Sequence, residues 1–186
     1  MEVAEVVDVL SGRAQGLVFE LSVALGGEVL AGAGMVGSAS EGTKRIAAAI
    51  TSGAAAERFG RMVAAQGGPP GFVEQAARYL PQADVVLEVT ATDAGYVSAI
   101  DGEALGLAVV SLGGGRQVET DVIDPAAGLS DIVALGCRIA PGDVLARVHA
   151  ARLEQAEVTA DRIRAAIRLS AGAPELAPLI CDRIMR

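Results

Sequence analysis

The chain has 186 residues, 52% of them apolar, which is enough for one generous domain or two small ones with a sizeable core and argues against disorder. Its formal net charge is −8, from 23 acidic and 15 basic residues, so a cationic groove for nucleic acid is not expected. No apolar run approaches the roughly 20 residues that would span a bilayer, which leaves no membrane role.

Further exclusions follow from residue types. Aromatic residues make up only 3%, so the core has to be assembled from Ala, Val, Leu and Ile. Lys44 is the only lysine; every other basic residue is Arg. The opening Met1-Glu2-Val3-Ala4-Glu5 is acidic where a secretory signal would be positive, and the compartment expected is the cytoplasm. Cys137 and Cys181 lack CxxC spacing and a nearby His, and read as reduced, packed thiols.

In chain order, the first third reads as helices. Glu2 to Leu10 begins one, closed by Ser11-Gly12. Val18, Leu21, Leu25 and Val29 share a face of a second, which ends in the glycines after Leu30. Ser38 and Glu41 form a capping-box pattern for a third, which carries Ile46, Ala49 and Ile50. Phe59, Met62, Val63 and Gln66 mark a fourth, terminated by Gly67-Gly68, with Glu57 spaced to pair with Arg61. Gly68-Pro69-Pro70-Gly71 is a hard break, followed by a short helix around Phe72 to Tyr79.

The period then changes. Val85 to Thr90 and Tyr96 to Ile100 are β-rich. Ala104 to Leu112 is apolar throughout and reads as a buried helix, with a strand as the alternative. Asp131 to Leu135 and Val144 to His149 are expected to complete the strands, and Ile163, Ala166, Ile167 and Ser170 mark a last helix from about Thr159.

Several motifs invite function and are better read as structure. Gly32-Ala33-Gly34-Met35-Val36-Gly37 matches GxGxxG, but a helix rather than a strand delivers it, so it reads as a helix end. Gly113-Gly114-Gly115-Arg116 could cradle an anion, yet no Lys-Ser/Thr follows as in a P-loop, and a structural turn explains the glycines. Gly95-Tyr96-Val97, Gly136 and Ala140 to Leu145 resemble the turn pattern of biotinyl and lipoyl domains, but no lysine is present there to carry a cofactor. His149, the only histidine, has no evident orienting partner. Asp121 and Asp124 read as solvated turn residues beside Pro125. No catalytic triad or metal-ligand cluster emerges from the residues alone.

Taken together, four stretches resemble one family. Glu2-Val3-Ala4-Glu5 is similar to the E-V-x-E helix start of thymidine and pyrimidine-nucleoside phosphorylases. Gly60 to Gly68 resembles that family's M-V-A-A-Q-G-G helix, and Gly113 to Arg116 with Asp121 to Gly128 resembles its G-G-G-R…I-D-x-x-x-G block. Ala171-Gly172-Ala173-Pro174 has a counterpart as well.

The resemblance implies the C-terminal part of a pentosyltransferase that cleaves thymidine with phosphate. It implies an α/β (α+β) fold, with residues 1–80 as the helical tail of the central catalytic domain and residues 81–186 as a β-rich, hammerhead-like C-terminal domain. The family's phosphate loop and base-binding residues lie upstream of the E-V-x-E helix, and Met1 stands where the family has Leu, as at the start of a truncated frame. No catalytic residue is therefore expected in this chain. The substrates implied for the parent are phosphate and a pyrimidine nucleoside. Arg116, Gly114 and Gly115 are the substrate-binding candidates. Glu5 corresponds to the carboxylate of the family's potassium site, whose other ligands lie upstream; no other cofactor is implied. The apolar faces around Val18, Leu21, Leu25 and Phe59 suggest a homo-oligomer. The rival reading is a non-catalytic interaction module with a biotinyl-like fold.

Overall fold

The computed structural model describes residues 1–184. The chain is α+β and packs as two units. One comprises residues 2–80 with the described residues from Pro178 onward; the other is Pro81–Ala177 with Met1.

The first unit is helical: α1 (Glu2–Leu10), α2 (Leu17–Gly32), α3 (Ala39–Thr51), α4 (Ala54–Ala65) and α5 (Ala76–Tyr79). Val7 of α1 is buried with Phe72, Val73 and Ala76, and Ala56, Phe59, Val63 and Leu80 pack around them. Phe72 lies between Phe59 and Tyr79, with ring centroids 6.3 and 6.2 Å away. This is the range in which aromatic rings attract beyond their burial.

Helices α2 and α3 meet backbone to backbone. A β-carbon on Gly42 would lie 2.8 Å from the Gly27 Cα, and one on Gly27 would lie 2.7 Å from the Ala39 carbonyl oxygen. Both are closer than real β-carbons approach, so glycine at each position sets the spacing of the pair. The start of α3 is capped as its sequence predicts: Ser38 Oγ accepts from the Glu41 amide at 3.2 Å. The Glu41 carboxylate accepts from the Gly37 amide at 2.9 Å, one residue earlier than in a standard capping box. The GxGxxG glycines finish α2, where the Ala33 amide still bonds to the Val29 carbonyl at 2.9 Å and Gly34 turns left-handed at φ +68°. A helix end accounts for the motif.

The second unit contains β1 (Val85–Thr90), β2 (Gly95–Ile100), α6 (Gly102–Val109), β3 (Gly128–Ser130), β4 (Arg138–Ile139), β5 (Val144–Ala150), α7 (Leu153–Ala166) and β6 (Ile167–Ser170). They form two antiparallel sheets, ordered β1-β5-β3 and β4-β2-β6. Ala146, Val148 and Ala150 on one face of β5 are fully buried with Ala156, Ala160 and Ile163 of α7. The apolar stretch 104–112 is helical: Asp101 caps α6 by accepting from the Ala104 amide at 3.0 Å, and Gly113 at φ +95° ends the wide turn that follows.

The structure corrects four expectations. Residues 131–135 form no strand; β3 ends at Ser130 because Asp131 takes a left-handed backbone at φ +51°. The last helix begins at Leu153 and stops at Ala166, and Ile167–Ser170 instead pair with β2. Of the segment from Phe72 to Tyr79, only the last four residues are helical. Both cysteines are exposed rather than packed.

Substituting Gly42→Ala tests the α2–α3 contact. The added methyl should destabilise the chain by about 1–3 kcal/mol despite alanine's better helix propensity. A urea midpoint equal to or above that of the parent chain would show that the helices have room to spare.

Candidate functional site

The residues singled out for substrate contact lie at the end of the wide turn after α6. Gly114 and Gly115 are there for packing: a β-carbon on Gly114 would approach Val109 Cγ1 to 2.7 Å, and one on Gly115 would approach Val110 Cγ2 to 2.8 Å. Asp124 and Asp121 hold the loop that follows. The Asp124 amide donates to the Gly113 carbonyl at 2.8 Å, and its carboxylate accepts from the Ala126 amide at 2.9 Å. Asp121 accepts from the Gln117 and Val118 amides at 2.9 and 3.1 Å. Both carboxylates serve the loop's own backbone, as Asp does in tight turns. Arg116 is exposed and makes no hydrogen bond or ion pair among the described residues. It is the one free cation of this turn.

Glu5 lies in the other unit, exposed in the first turn of α1. No group of three His, Cys, Asp or Glu residues among the described residues could hold a metal ion. A lone exposed carboxylate does not fit a potassium site, because it cannot replace the ion's hydration shell.

A polar cluster that the sequence did not reveal occupies the outer face of the β1-β5-β3 sheet. Register places Glu88 of β1 and Ser130 of β3 on either side of Arg147 of β5. Arg147 bonds Glu88 at 2.9 Å and Asp131 at 2.6 Å. Ser130 Oγ lies 2.8 Å from His149 Nε2 and 3.2 Å from Asp131 Oδ2. A hydroxyl has one proton; directed at Asp131, it leaves Oγ to accept from the His149 Nε2–H.

Two protonation states shift accordingly. Asp131 is held below its ordinary 3.8, chiefly by the hydrogen bond from Arg147. Burial pushes His149 below its ordinary 6.5, with the Met1 amino group adding to the effect and Asp131 opposing it. This is not a nucleophilic triad. Asp131 bonds the serine rather than the far nitrogen of the imidazole, so nothing orients His149 as a base toward Ser130. The cluster clasps three strands and holds Asp131 in its left-handed turn. The signal that could have found it is the parity of charges: Glu88 and Arg147 occupy matching faces of two strands that pair antiparallel.

A groove of about 450 Å³ runs along Thr92, Asp93, Arg164 and Ser170. Its cation is already engaged, since Arg164 donates to the Thr90 carbonyl at 3.0 Å and to Asp161 at 2.8 Å.

Residues 96–170 match the family model for the pyrimidine nucleoside phosphorylase C-terminal domain. Over 185 residues the chain is 38% identical to a thymidine phosphorylase of Agrobacterium fabrum. The chain is thus similar to the pyrimidine nucleoside phosphorylases. The alignment takes in 99% of this chain but 42% of the Agrobacterium protein, so more than half of that relative lies outside the match. The phosphorylase C-terminal domain match begins within β2 and ends with β6. It therefore contains Arg116, the loop carboxylates, and Ser130, Arg147 and His149 of the polar cluster.

Folding lowers the His149 pKa, so just below pH 6.5 the unfolded chain binds more protons than the folded one. This contribution to stability is fully present above pH 6.5 and is lost as pH falls through that value toward the folded pKa. A proton-NMR titration of the single histidine should give a midpoint below 6.5, and His149→Gln should flatten the acid-side loss of stability. A midpoint at or above 6.5 would contradict the burial argument.

Proposed function

We propose that the chain is the C-terminal part of a thymidine phosphorylase, scaffolding and closing a site whose reacting groups are supplied by another segment. In this reaction a phosphate oxygen bonds to C1′ of the deoxyribose as the C1′–N1 bond breaks. The bond pair leaves with the pyrimidine, which takes up a proton, giving thymine and 2-deoxyribose 1-phosphate. The observation that carries the reading is 38% identity sustained across 99% of the chain, far beyond the limits of one domain match.

On this reading residues 1–80 belong to the central catalytic domain and residues 81–186 are the domain that closes over substrate. Arg116 is the group best suited to meet an anion there, being exposed and unpaired at a glycine turn. Its role would be electrostatic, drawing phosphate toward a cleft rather than moving a proton. No residue of this chain is proposed as a catalytic acid, base or nucleophile. The acidic loop residues are committed to backbone amides, and Lys44 stands exposed on α3 beside Arg45.

The purified 186-residue chain should release no thymine from thymidine and phosphate. Losing a single preorganised donor already lowers rates about 100- to 1,000-fold, and here the whole donor set for the pyrimidine is absent from the proposed machinery. Chromatography of the mixture against a boiled control tests this. Reproducible turnover in protein from a host without its own phosphorylase would refute the placement and turn attention to Arg116, Asp121 and His149.

A further inference from the structure

The chain's only histidine, the side-chain type that changes charge nearest neutral pH, sits where the β1-β5-β3 sheet is least secured. Strand β3 is three residues long, lies at the edge and pairs with β5 alone. Its inner side offers the core Leu129, preceded by Ala126 and Ala127. On its outer side Ser130 Oγ meets His149 Nε2 at 2.8 Å, and Asp131, held by Arg147, stops the strand. The segment 114–127, which carries Arg116, hangs between this strand and the bond from the Asp124 amide to the Gly113 carbonyl.

A neutral imidazole suits this place and a cation does not. Ser130 serves Nε2, but Nδ1 has no partner among the described residues, so a second N–H would need water in a partly buried site. The charged groups around the ring are Arg147 on its own strand, Glu88 on β1, Asp131 past the end of β3, and the Met1 amino group. Two carboxylates and two cations nearly cancel, so loss of water decides the balance. Gly128 lies directly across from His149, and a β-carbon there would meet Met1 Cγ at 3.2 Å, so the ring is roofed from the β3 side. Strand β5 cannot move to admit water, since its Val148 and Ala150 are fully buried. Strand β3 can, by breaking a three-residue ladder.

We propose that Ser130 and His149 form an acid-sensitive latch: protonating His149 releases the edge strand β3, and with it the loop that presents Arg116. The latch does not depend on the reaction proposed above; on that reading it makes the presentation of an anion-meeting cation depend on pH. The sign follows from linkage. Opening returns His149 to its ordinary 6.5, above its value in the closed sheet, so the open form binds the proton more tightly and gains population as pH falls through 6.5.

Amide hydrogen exchange of the 186-residue chain, corrected for the intrinsic pH dependence of exchange, tests this between about pH 5 and pH 7.5. Protection at Gly128–Ser130 and along 114–127 should fall as His149 protonates, by no more than about tenfold per pH unit because one proton is involved. The β1 amides from Val85 to Thr90 should keep theirs. His149→Gln, whose side-chain amide can donate to Ser130 and takes no proton, should hold the protection of β3 constant over the range. Ser130→Ala should leave β3 as open at the upper pH as the parent chain is at the lower, and this comparison decides the matter if His149→Gln does not fold. Unchanged protection at 128–130 across the histidine titration, an equal loss in β1, the same pH response in the His149→Gln chain, or a Ser130→Ala chain as protected as the parent would each overturn the latch.

Discussion

The architecture of the β unit depends on a core built without aromatic rings. Its buried cluster is made of Val, Ala, Leu and Ile alone. Small side chains fill space only if the elements carrying them come close. Ala156 and Ala160 on α7 let that helix settle onto Ala146, Val148 and Ala150 of β5. Dense packing then recovers by contact number what bulky rings would supply by area. The same economy of side-chain volume appears between α2 and α3, where Gly27 and Gly42 bring two backbones together. Enlarging any of these positions does not fill a void; it separates two elements.

This close packing leaves the outer face of the β1-β5-β3 sheet to polar groups, and there charge takes over from volume. Arg147 is the centre of the arrangement, since it bonds a carboxylate from the β1 side and another just past the end of β3. Both of its partners are about half exposed, so their value lies in geometry more than in net attraction. The Asp131 bond fixes the left-handed residue that ends β3, and β3 in turn presents Ser130 to His149. A chain of short-range contacts thereby sets where the strand ends, although no single contact in it is strong.

Much of this was legible in the sequence. The helical character of residues 2–65 follows from apolar spacing, and the Ser38 cap and the glycine end of α2 from local chemistry. The paired runs at Val85 and Val144 were readable because each concentrates apolar residues, valines among them, in a short stretch. What failed did so for reasons outside any short window. Residues 131–135 are apolar enough for a strand, but a side-chain bond to Arg147 holds Asp131 in a conformation that stops one. Ile167 to Ser170 continue a helical pattern, yet pairing with β2 draws them out of it. The polar cluster escaped because Glu88 and Arg147 are 59 residues apart, and only strand register reveals that they meet. The substrate candidates at Gly114 and Gly115 were conspicuous by composition, whereas the close approach of Val109 and Val110 that requires glycine there is visible only in the fold.

The register of the second sheet also governs the order in which the molecule can be made. Tyr96 pairs with Ser170, and Val85 with Ala150, so the second sheet cannot close until nearly the whole β unit has left the ribosome, nor the first until most of it has. Helices α2 and α3, by contrast, are joined by a short connection and can meet as soon as both exist. Closing long loops is entropically expensive and slow, and strands waiting for distant partners expose unpaired edges meanwhile. The helices of this chain can therefore condense before its strands find their partners, and the interval between the two is when those strands are most vulnerable to mispairing with their neighbours.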